Sequence, residues 1–335
     1  MMTEKGQGVT MAAIAEKAGV SKATVSRALA GSSLIGEAAR EQVELTAREL
    51  GYIRRSVKRP GERVILTVKL VLPPEGNRSA RLFYSFTDLV EGLQRGLSPA
   101  GVNLIVENGG SGFVPFPYKK GGEVEAFIFA FHRPSAPVLR EIEKAGSRVA
   151  VLNRSVRGVS HVVSHHEDAM AQIAQHLFEK EVRGNCCFVG YGGIEDVVKE
   201  RLSGFAKACD ALGMTFDREV DLWMLSSPDE LTAQALKKRF RSGTRTFVGV
   251  NDVIGSLLVQ HAREAGLRVP QDVWVTGCDN APIRDVTVPL LTTVDLSIRQ
   301  LAEEAGRSIY LDIVEGAVRK RSILVKGTLL TGQST

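Results

Sequence analysis

The sequence predicts an all-α helix-turn-helix head at the N-terminus, followed by an α/β body whose parallel sheets form two lobes. Three observations lead to this prediction. Residues 9–29 have the pattern of two short helices joined by a tight turn. Of the net charge of +5, residues 1–64 carry +4, from 11 Lys and Arg against 7 Asp and Glu. From residue 64 onward, apolar runs alternate with helix-like segments, which is typical of parallel sheets covered by helices.

The head is defined by residues 9–29, which read VTMAAIAEKAGVSKATVSRAL. Thr10 is placed to cap the first helix, Gly19 to end it in a left-handed conformation, and Ser21 to cap the second. The outer face of the second helix is small, polar and basic, with Lys22, Ala23, Thr24 and Arg27. Such a face near a helix N-terminus suits the DNA major groove; an ordinary helical hairpin is the alternative. A third helix is expected at residues 37–50.

The body shows regular alternation. Strand-like runs lie at 65–72, 102–106, 126–131, 149–152, 186–189, 246–250 and 273–277. Helix-like segments lie at 86–97, 137–145, 169–178, 200–212, 230–240, 254–265 and 298–314. The alternation divides near residue 165, which indicates a hinge between two lobes. In such sheets, ligands bind at the carboxyl ends of the strands.

Composition excludes several classes of protein. No apolar run approaches the length of a membrane span, and the N-terminus MMTEKGQG lacks the apolar core of a secretory signal. A cytoplasmic protein is therefore expected. The four cysteines have no CxxC spacing, so reduced structural thiols are predicted.

The segment VTMAAIAEKAGVSKATVSRALAG, followed by REQVELTARELGYI, resembles the DNA-binding head of the lactose-repressor/galactose-repressor (LacI/GalR) family of bacterial regulators over residues 9–53. The resemblance implies that Lys22 and Ala23 select operator bases and that Arg27 makes a further base contact. Lys and Arg can donate to guanine O6 and N7, and Ala can touch a thymine methyl. The predicted DNA-binding set also includes Thr10, Ser21, Thr24 and Ser33, the last three as phosphate contacts.

Residues 54–63, RRSVKRPGER, depart from that family, whose members usually have Pro-Asn and then a hinge helix with a leucine that wedges into the minor groove. Here Arg54 and Arg55 replace Pro-Asn, and Pro60 interrupts any helix. A flexible basic linker is therefore expected, with Arg54, Arg55 and Lys58 on DNA phosphates. A hinge helix that forms on DNA is the alternative.

Family motifs continue through the body, most clearly in its second half: RLSGF at 201–205, ND at 251–252, GLRVPQDV at 266–273, GCDN at 277–280 and PLLTTV at 289–294. The resemblance implies a two-lobed fold like that of a periplasmic sugar-binding protein, with residues 64–335 forming the effector-binding and dimerisation body. Lobe 1 is predicted at about 64–163 plus 295–320, and lobe 2 at about 164–292 plus 321–335. The three crossovers would lie near 163–165, 292–295 and 318–322.

By the same resemblance, the effector binds in the cleft between the lobes. Four polar positions match the family's ligand set: Asn153, Arg201, Asn251 and Asp279. Their donors and acceptors suit the vicinal hydroxyls of a sugar, and also a purine or an acidic metabolite. Phe86 and Trp223 match aromatic positions and are expected to stack on a sugar ring. Core packing is the alternative for the aromatics, and a structural ion pair for Arg201 and Asp279.

Neither a metal nor a cofactor is predicted. Three histidines, His161, His165 and His166, lie close together, but they have no cysteine nearby and are interpreted as polar residues at the lobe edge. The sequence GYGG at 190–193 lacks the third glycine of a dinucleotide fingerprint. No nucleophile elbow, Walker loop or HExxH motif occurs, so no enzyme activity is expected.

The predicted function is a ligand-responsive transcriptional repressor in the cytoplasm, associated with the nucleoid. A homodimer would bind a pseudo-palindromic operator in double-stranded DNA, and a small sugar-like effector would relieve repression. Two alternatives remain: a cytosolic sugar-binding protein or enzyme with a helical appendage, and a regulator that uses its body only to dimerise. No heptad repeat follows Lys326, so a coiled-coil tetramer is not expected.

Overall fold

A computed structural model describes residues 10–29, 35–50, 65–74, 84–116, 124–182, 185–316 and 318–335. The chain divides into two compact units, Met1–Glu62 and Arg63–Thr335. The predicted linker at 54–63 lies outside the described residues. The two units are described separately below.

The described part of the head contains helices α1 Met11–Ala18, α2 Lys22–Leu29 and α3 Glu37–Glu49. Their caps form as the sequence predicts. Thr10 Oγ1 accepts the Ala13 amide at 3.3 Å, Gly19 has a φ of 67°, and Ser21 Oγ accepts the Thr24 amide at 3.0 Å. The helices share an apolar core of Ile14, Ala18, Val25, Ala28, Val43 and Ala47. The predicted helix-turn-helix fold of the head is confirmed.

The body alternates strands and helices as expected. Its described strands are β1 Ile65–Leu72, β2 Gly101–Asn108, β3 Ala126–Ala130, β4 Arg148–Leu152, β5 Ser160–Ser164, β6 Asn185–Tyr191, β7 Leu222–Leu225, β8 Thr244–Gly249, β9 Trp274–Thr276, β10 Thr293–Asp295, β11 Ser322–Val325 and β12 Thr328–Leu330. Its described helices are α4 Phe86–Leu97, α5 Ala136–Lys144, α6 His166–Glu179, α7 Glu195–Leu212, α8 Ala233–Arg241, α9 Asp252–Glu264 and α10 Ile298–Glu315.

Two parallel sheets form the centres of the two lobes. Lobe 1 has the strand order β11-β5-β4-β3-β1-β2, and lobe 2 has the order β7-β6-β8-β9. The central strand β3, AFIFA, is buried along its whole length, because helices cover both faces of a parallel sheet. The predicted α/β body with parallel sheets is confirmed.

Helix α10 returns the chain to lobe 1 and packs closely against α4. A β-carbon at Gly92 would overlap the carbonyl oxygen of Arg299, and one at Gly96 would overlap that of Glu303. These glycines therefore let the two helix backbones approach each other. The contact fixes α10 to the sheet through a shared core that includes Leu93.

The chain crosses between the lobes three times. It leaves lobe 1 after β5, returns after β10, and leaves again after β11. Strand β11 pairs with β5 from Ser322↔His161 to Val325↔Ser164. The predicted third crossover at 318–322 is therefore wrong, since residues 322–325 belong to lobe 1 and the chain crosses at 326–327. The strand is hard to detect because it lies at the sheet edge and only Val325 is buried. The other lobe boundaries remain predictions.

The cysteines and the hydropathy of the helices bear on the class of protein. Cys186, Cys187, Cys209 and Cys278 are buried free thiols. Burial raises the pKa of Cys186 and of Cys187 to about 12, so neither forms a reactive thiolate near neutral pH. Within the described ranges, none of the helices combines the length and the hydropathy that a membrane span requires.

Candidate functional site

A cavity of about 360 Å³ lies between the two lobes, at the carboxyl ends of strands from both sheets. Phe131 follows β3, Asn153 follows β4, Tyr191 ends β6 and Asn251 precedes α9. The described residues that line the cavity are Pro73, Pro74, Tyr84, Phe131, Asn153, Arg154, Tyr191, Gly193, Ile194, Val197, Arg201, Asn251, Asp279 and Ile298. All four polar side chains of the predicted effector set are therefore brought together here.

Arg201 and Asp279 form a buried ion pair. Arg201 Nη2 donates to Asp279 Oδ1 at 2.5 Å, Nη1 donates to the Val250 carbonyl oxygen at 2.5 Å, and Nε donates to His166 Nδ1 at 3.3 Å. Burial opposes the charge of Arg201, but the Asp279 carboxylate raises the pKa of Arg201 above its ordinary value. Burial and the charge of Arg201 lower the pKa of His166 well below its ordinary value. His166 is therefore a neutral acceptor that orients Arg201.

The two asparagine side chains are each held by a neighbouring helix or strand. Asn251 caps α9, because its Oδ1 accepts the Ile254 amide at 3.0 Å, and its Nδ2 donates to the Tyr191 hydroxyl at 3.2 Å. Asn153 Oδ1 accepts the Ser164 amide at 3.3 Å. These bonds fix both side chains before any ligand arrives, which reduces the entropy lost on binding.

Backbone strain is concentrated at the same cavity. Phe131, Asn153 and Asp279 have φ values of 63°, 53° and 121°. Such conformations cost on the order of 1–3 kcal/mol each and cluster at ligand sites. They are held by the fold here, since the Phe131 amide donates to the Leu152 oxygen and the Asp279 amide donates to the Val294 oxygen, both at 2.9 Å.

The aromatic lining differs from the one that the sequence predicts. Phe86 is the first residue of α4, is 46% exposed and does not line the cavity. Trp223 lies in the edge strand β7, where the guanidinium carbon of Arg239 is 4.8 Å from the ring centroid. Tyr84 and Phe131 line the cavity instead, and their rings stack with centroids 4.1 Å apart and an interplanar angle of 26°.

The outer face of α2 carries the predicted DNA contacts. Lys22, Ala23 and Arg27 are exposed, and Thr24 is half-buried. The hydroxyl oxygens of Ser21 and Thr24 lie 2.8 Å apart. The predicted contacts Ser33, Arg54, Arg55 and Lys58 lie outside the described residues.

Comparison with known families shows to which protein family the chain belongs. Residues 10–55 match the model of bacterial regulatory proteins of the lacI family, and residues 174–335 match the periplasmic binding protein-like domain. The chain belongs to the lacI family of bacterial regulatory proteins. This confirms the family, the fold class and the ligand-responsive, DNA-binding regulatory function that the sequence predicts. The family consists of transcriptional regulators and not of enzymes.

Individual relatives resemble this lacI-family chain over nearly its whole length. The HTH-type transcriptional regulator CelR of Thermobifida fusca is 27% identical over 339 residues, covering 98% of each chain. A solved CelR–cellobiose complex has a TM-score of 0.66 at 23% identity and covers 98% of this chain and 100% of that one. The lac repressor dimer, solved with operator and an anti-inducer, has a TM-score of 0.58 at 19% identity, covering 98% and 99%.

The three neighbouring histidines of this lacI-family chain have separate partners. His161 Nε2 lies 2.9 Å from Ser322 Oγ, His165 caps α6, and His166 accepts from Arg201. Among the residues that the structure describes, no group of His, Cys, Asp and Glu could hold a metal ion.

Tyr84, Phe131, Arg154 and Tyr191 are among the lining residues that the sequence pattern does not predict. A signal for three of them exists. Phe131 ends the strand-like run at 126–131, and Arg154 and Tyr191 lie two residues after the runs at 149–152 and 186–189, so the carboxyl ends of the strands point to all three. Tyr84 lies before the cap of α4, where the sequence gives no comparable signal.

A second buried carboxyl, Asp252, predicts a pH dependence of stability. Its Oδ1 accepts the Thr293 hydroxyl at 2.5 Å, and its Oδ2 accepts the Ala281 amide at 2.7 Å. Burial, reinforced by the charge of Asp279, raises the pKa of Asp252 from 3.8 to about 7. The folded state therefore retains the proton that the unfolded state loses, and stability falls as the pH rises from about 4 to about 7.

Asp252→Asn is expected to remove this part of the pH profile, because the amide reproduces the protonated carboxyl without titrating. As the pH rises from about 4 to about 8, the Tm of the variant should rise relative to that of the wild type. Thermal unfolding of both proteins across this range measures the difference. Parallel Tm profiles would contradict the assignment.

Proposed function

We propose that this chain represses transcription as a homodimer, which binds a pseudo-palindromic operator in double-stranded DNA and is released by a small sugar-like ligand between its lobes. The observation that carries the proposal is a helix-turn-helix head joined, in one chain, to a cavity lined by Asn153, Arg201, Asn251 and Asp279. CelR has been solved with cellobiose, and the lac repressor has been solved as a dimer on its operator. These similarities support the proposal.

The polar groups of the cavity suit hydroxyl groups of a ligand. Arg201 and Asp279 are already paired through Nη2 and Oδ1, whereas Asp279 Oδ2 and Asn153 Nδ2 have no hydrogen-bond partner among the described residues. One acceptor and one donor are thus available to neighbouring hydroxyls. Tyr84 and Phe131 offer the apolar surface that a pyranose ring requires.

Signalling from the cavity to DNA follows from the lobe connections. Asn153 comes from lobe 1, and Arg201, Asn251 and Asp279 come from lobe 2, so a ligand that bonds to both lobes favours one relative arrangement of them. If that arrangement is less compatible with the spacing of two heads on DNA, binding of ligand and binding of operator oppose each other. Coupling free energies of this kind are typically about 1–3 kcal/mol.

The head residues have separate proposed roles. Lys22, Ala23 and Arg27 contact base edges in the major groove, since they are exposed on the outer face of α2. Ser21 and Thr24 contact phosphates near the N-terminus of that helix, where backbone amides favour anions, and Thr10 contacts DNA at the start of α1. We expect the protein to act in the cytoplasm at the nucleoid, without enzymatic activity.

Footprinting of the full chain on the DNA around its own gene tests the proposal. The expected result is a protected site with two-fold symmetry, whose half-sites lie about one helical turn, or 34–36 Å, apart. The mass of the complex should correspond to two chains per site. Turnover of a carbohydrate without sequence-specific DNA binding would overturn the proposal in favour of an enzyme with a helical appendage.

A further inference from the structure

The charges that line the cavity do not balance. Among the described lining residues, the charged side chains are Arg154, Arg201 and Asp279. Arg201 and Asp279 neutralise each other across 2.5 Å, and His166 beside them is neutral because burial lowers its pKa well below the ordinary value. Arg154 therefore contributes a positive charge that the other lining residues do not neutralise.

Arg154 is held in place but is only weakly paired. Its side chain is 16% exposed, and its Nε lies 3.7 Å from Asp196 Oδ2, which is beyond hydrogen-bond distance. Its Nη1 donates to the carbonyl oxygen of Asn153 at 2.6 Å. Asp196 itself accepts a closer bond from Arg133 Nη2, at 2.7 Å. Nη2 of Arg154 has no acceptor within the described part of the chain.

The surroundings of Arg154 also act on its guanidinium group. Burial lowers the pKa of Arg154 from its ordinary value, repulsion by Arg133 and Arg201 adds to the lowering, and the attraction of Asp196 and Asp279 opposes it. The net lowering means that attraction does not compensate for burial and repulsion. Burial and the neighbouring Asp196 raise the pKa of the Glu200 carboxyl, and the charge of Arg154 opposes that rise. An anion beside Arg154 would relieve the imbalance.

We propose that the effector carries an anionic group, a carboxylate or a phosphate, that binds Arg154 while the rest of the ligand contacts Tyr84 and Phe131. A guanidinium group matches the planar oxygens of such anions and forms charge-assisted bonds with them. The first turn of α7 already carries the carboxylates of Glu195 and Asp196, so the anion would be held by Arg154 and not by that helix N-terminus. The inference rests on the proposed function, since it names the chemical class of the ligand in that cavity.

Calorimetric titration of the full chain tests the inference. The probes are glucose, galactose and mannose, each compared with its aldonic acid, its uronic acid and its 6-phosphate. At least one anion should bind about 10- to 100-fold more tightly than its neutral parent, and its affinity should fall as KCl is raised. The acid and phosphate arms distinguish a carboxylate from a phosphate.

Substitutions of Arg154 test whether this residue causes the preference for an anion over its neutral parent. Arg154→Gln should bring the anion and its neutral parent to within about threefold of each other, and Arg154→Lys, which retains the charge, should retain part of the preference. Arg268→Gln removes an exposed arginine from the loop that follows α9, and it should leave the affinities for the anion and for its neutral parent unchanged. Retention of the full preference in a folded Arg154→Gln protein would overturn the inference, as would tighter binding of a neutral sugar or binding of no anion.

The failure of this inference can be told apart from failure of the proposed function. If a neutral sugar binds and causes the protein to release operator DNA, the repressor proposal holds and the proposal of an anionic ligand fails. An anion that binds through Arg154 without any effect on DNA binding supports the anionic ligand and contradicts the repressor proposal.

Discussion

Replacement of Arg201 by alanine is expected to have the largest effect of any single change in the body. It leaves the Asp279 carboxylate buried without its partner and removes a donor from both Val250 and His166. Breaking a buried ion pair from one side typically costs about 3–5 kcal/mol. Arg201→Ala should therefore lower the Tm of lobe 2 markedly and abolish the response to ligand, as measured by calorimetry with and without a bound sugar.

Two further variants test this assignment. Asp279→Asn keeps the shape of the side chain but leaves the Arg201 guanidinium buried without its counter-charge, so it should lower the Tm as well as weaken ligand binding. Arg268→Ala removes an arginine that pairs with Asp272 at 2.8 Å on the surface, where Arg268 is 72% exposed. That variant should lower the Tm by much less, because an exposed pair typically contributes no more than about 1 kcal/mol. Equal Tm losses for Arg201→Ala and Arg268→Ala would contradict the assignment of Arg201.

The largest expected effect in the head comes from Lys22→Ala and Arg27→Ala. Each removes a proposed base contact, and such contacts contribute about 1–3 kcal/mol, or roughly 5- to 150-fold in operator affinity. Affinity for unrelated DNA should fall much less, because it depends on phosphate contacts. Fluorescence anisotropy with operator and with scrambled DNA at several salt concentrations measures both quantities.

Lys17→Ala is the matched control within the same head. Lys17 is a basic residue in the last turn of α1, and its Nζ pairs with Glu49 at 2.9 Å. Its loss should reduce binding to operator and to scrambled DNA by the same small factor. The proposed base contacts would be refuted by an unchanged ratio of operator to scrambled affinity in both Lys22→Ala and Arg27→Ala.

The sequence predicts most of the fold because its local signals agree with each other. Caps and turns at Thr10, Gly19 and Ser21 define the head, and long apolar runs identify strands that are buried on both faces. Two short strands of lobe 1, β5 and β11, are not predicted. Each contains a run of only two or three apolar residues, in SHVVS and SILV, and β11 is stabilised by a partner about 160 residues away in sequence.

The sequence predicts the polar residues of the site but not its aromatic residues, and the difference has a physical reason. Asn153, Arg201, Asn251 and Asp279 lie at strand ends or early in helices, where the topology brings them to one edge of the sheets. An aromatic contact depends on the direction of each side chain. Phe86 is displaced from the cavity by its position on α4, although Tyr84, two residues earlier, lines it. A family pattern does not resolve a shift of this size.

The central claim is that a ligand in the interlobe cavity controls DNA binding by the head. Its most direct test is the Kd of the full chain for its operator, measured with and without a saturating ligand identified by thermal shift. A rise of about 5- to 150-fold in Kd is predicted for the wild type, with no change for Asp279→Asn. An unchanged operator Kd, with a ligand whose thermal shift is lost in Asp279→Asn, would contradict the account.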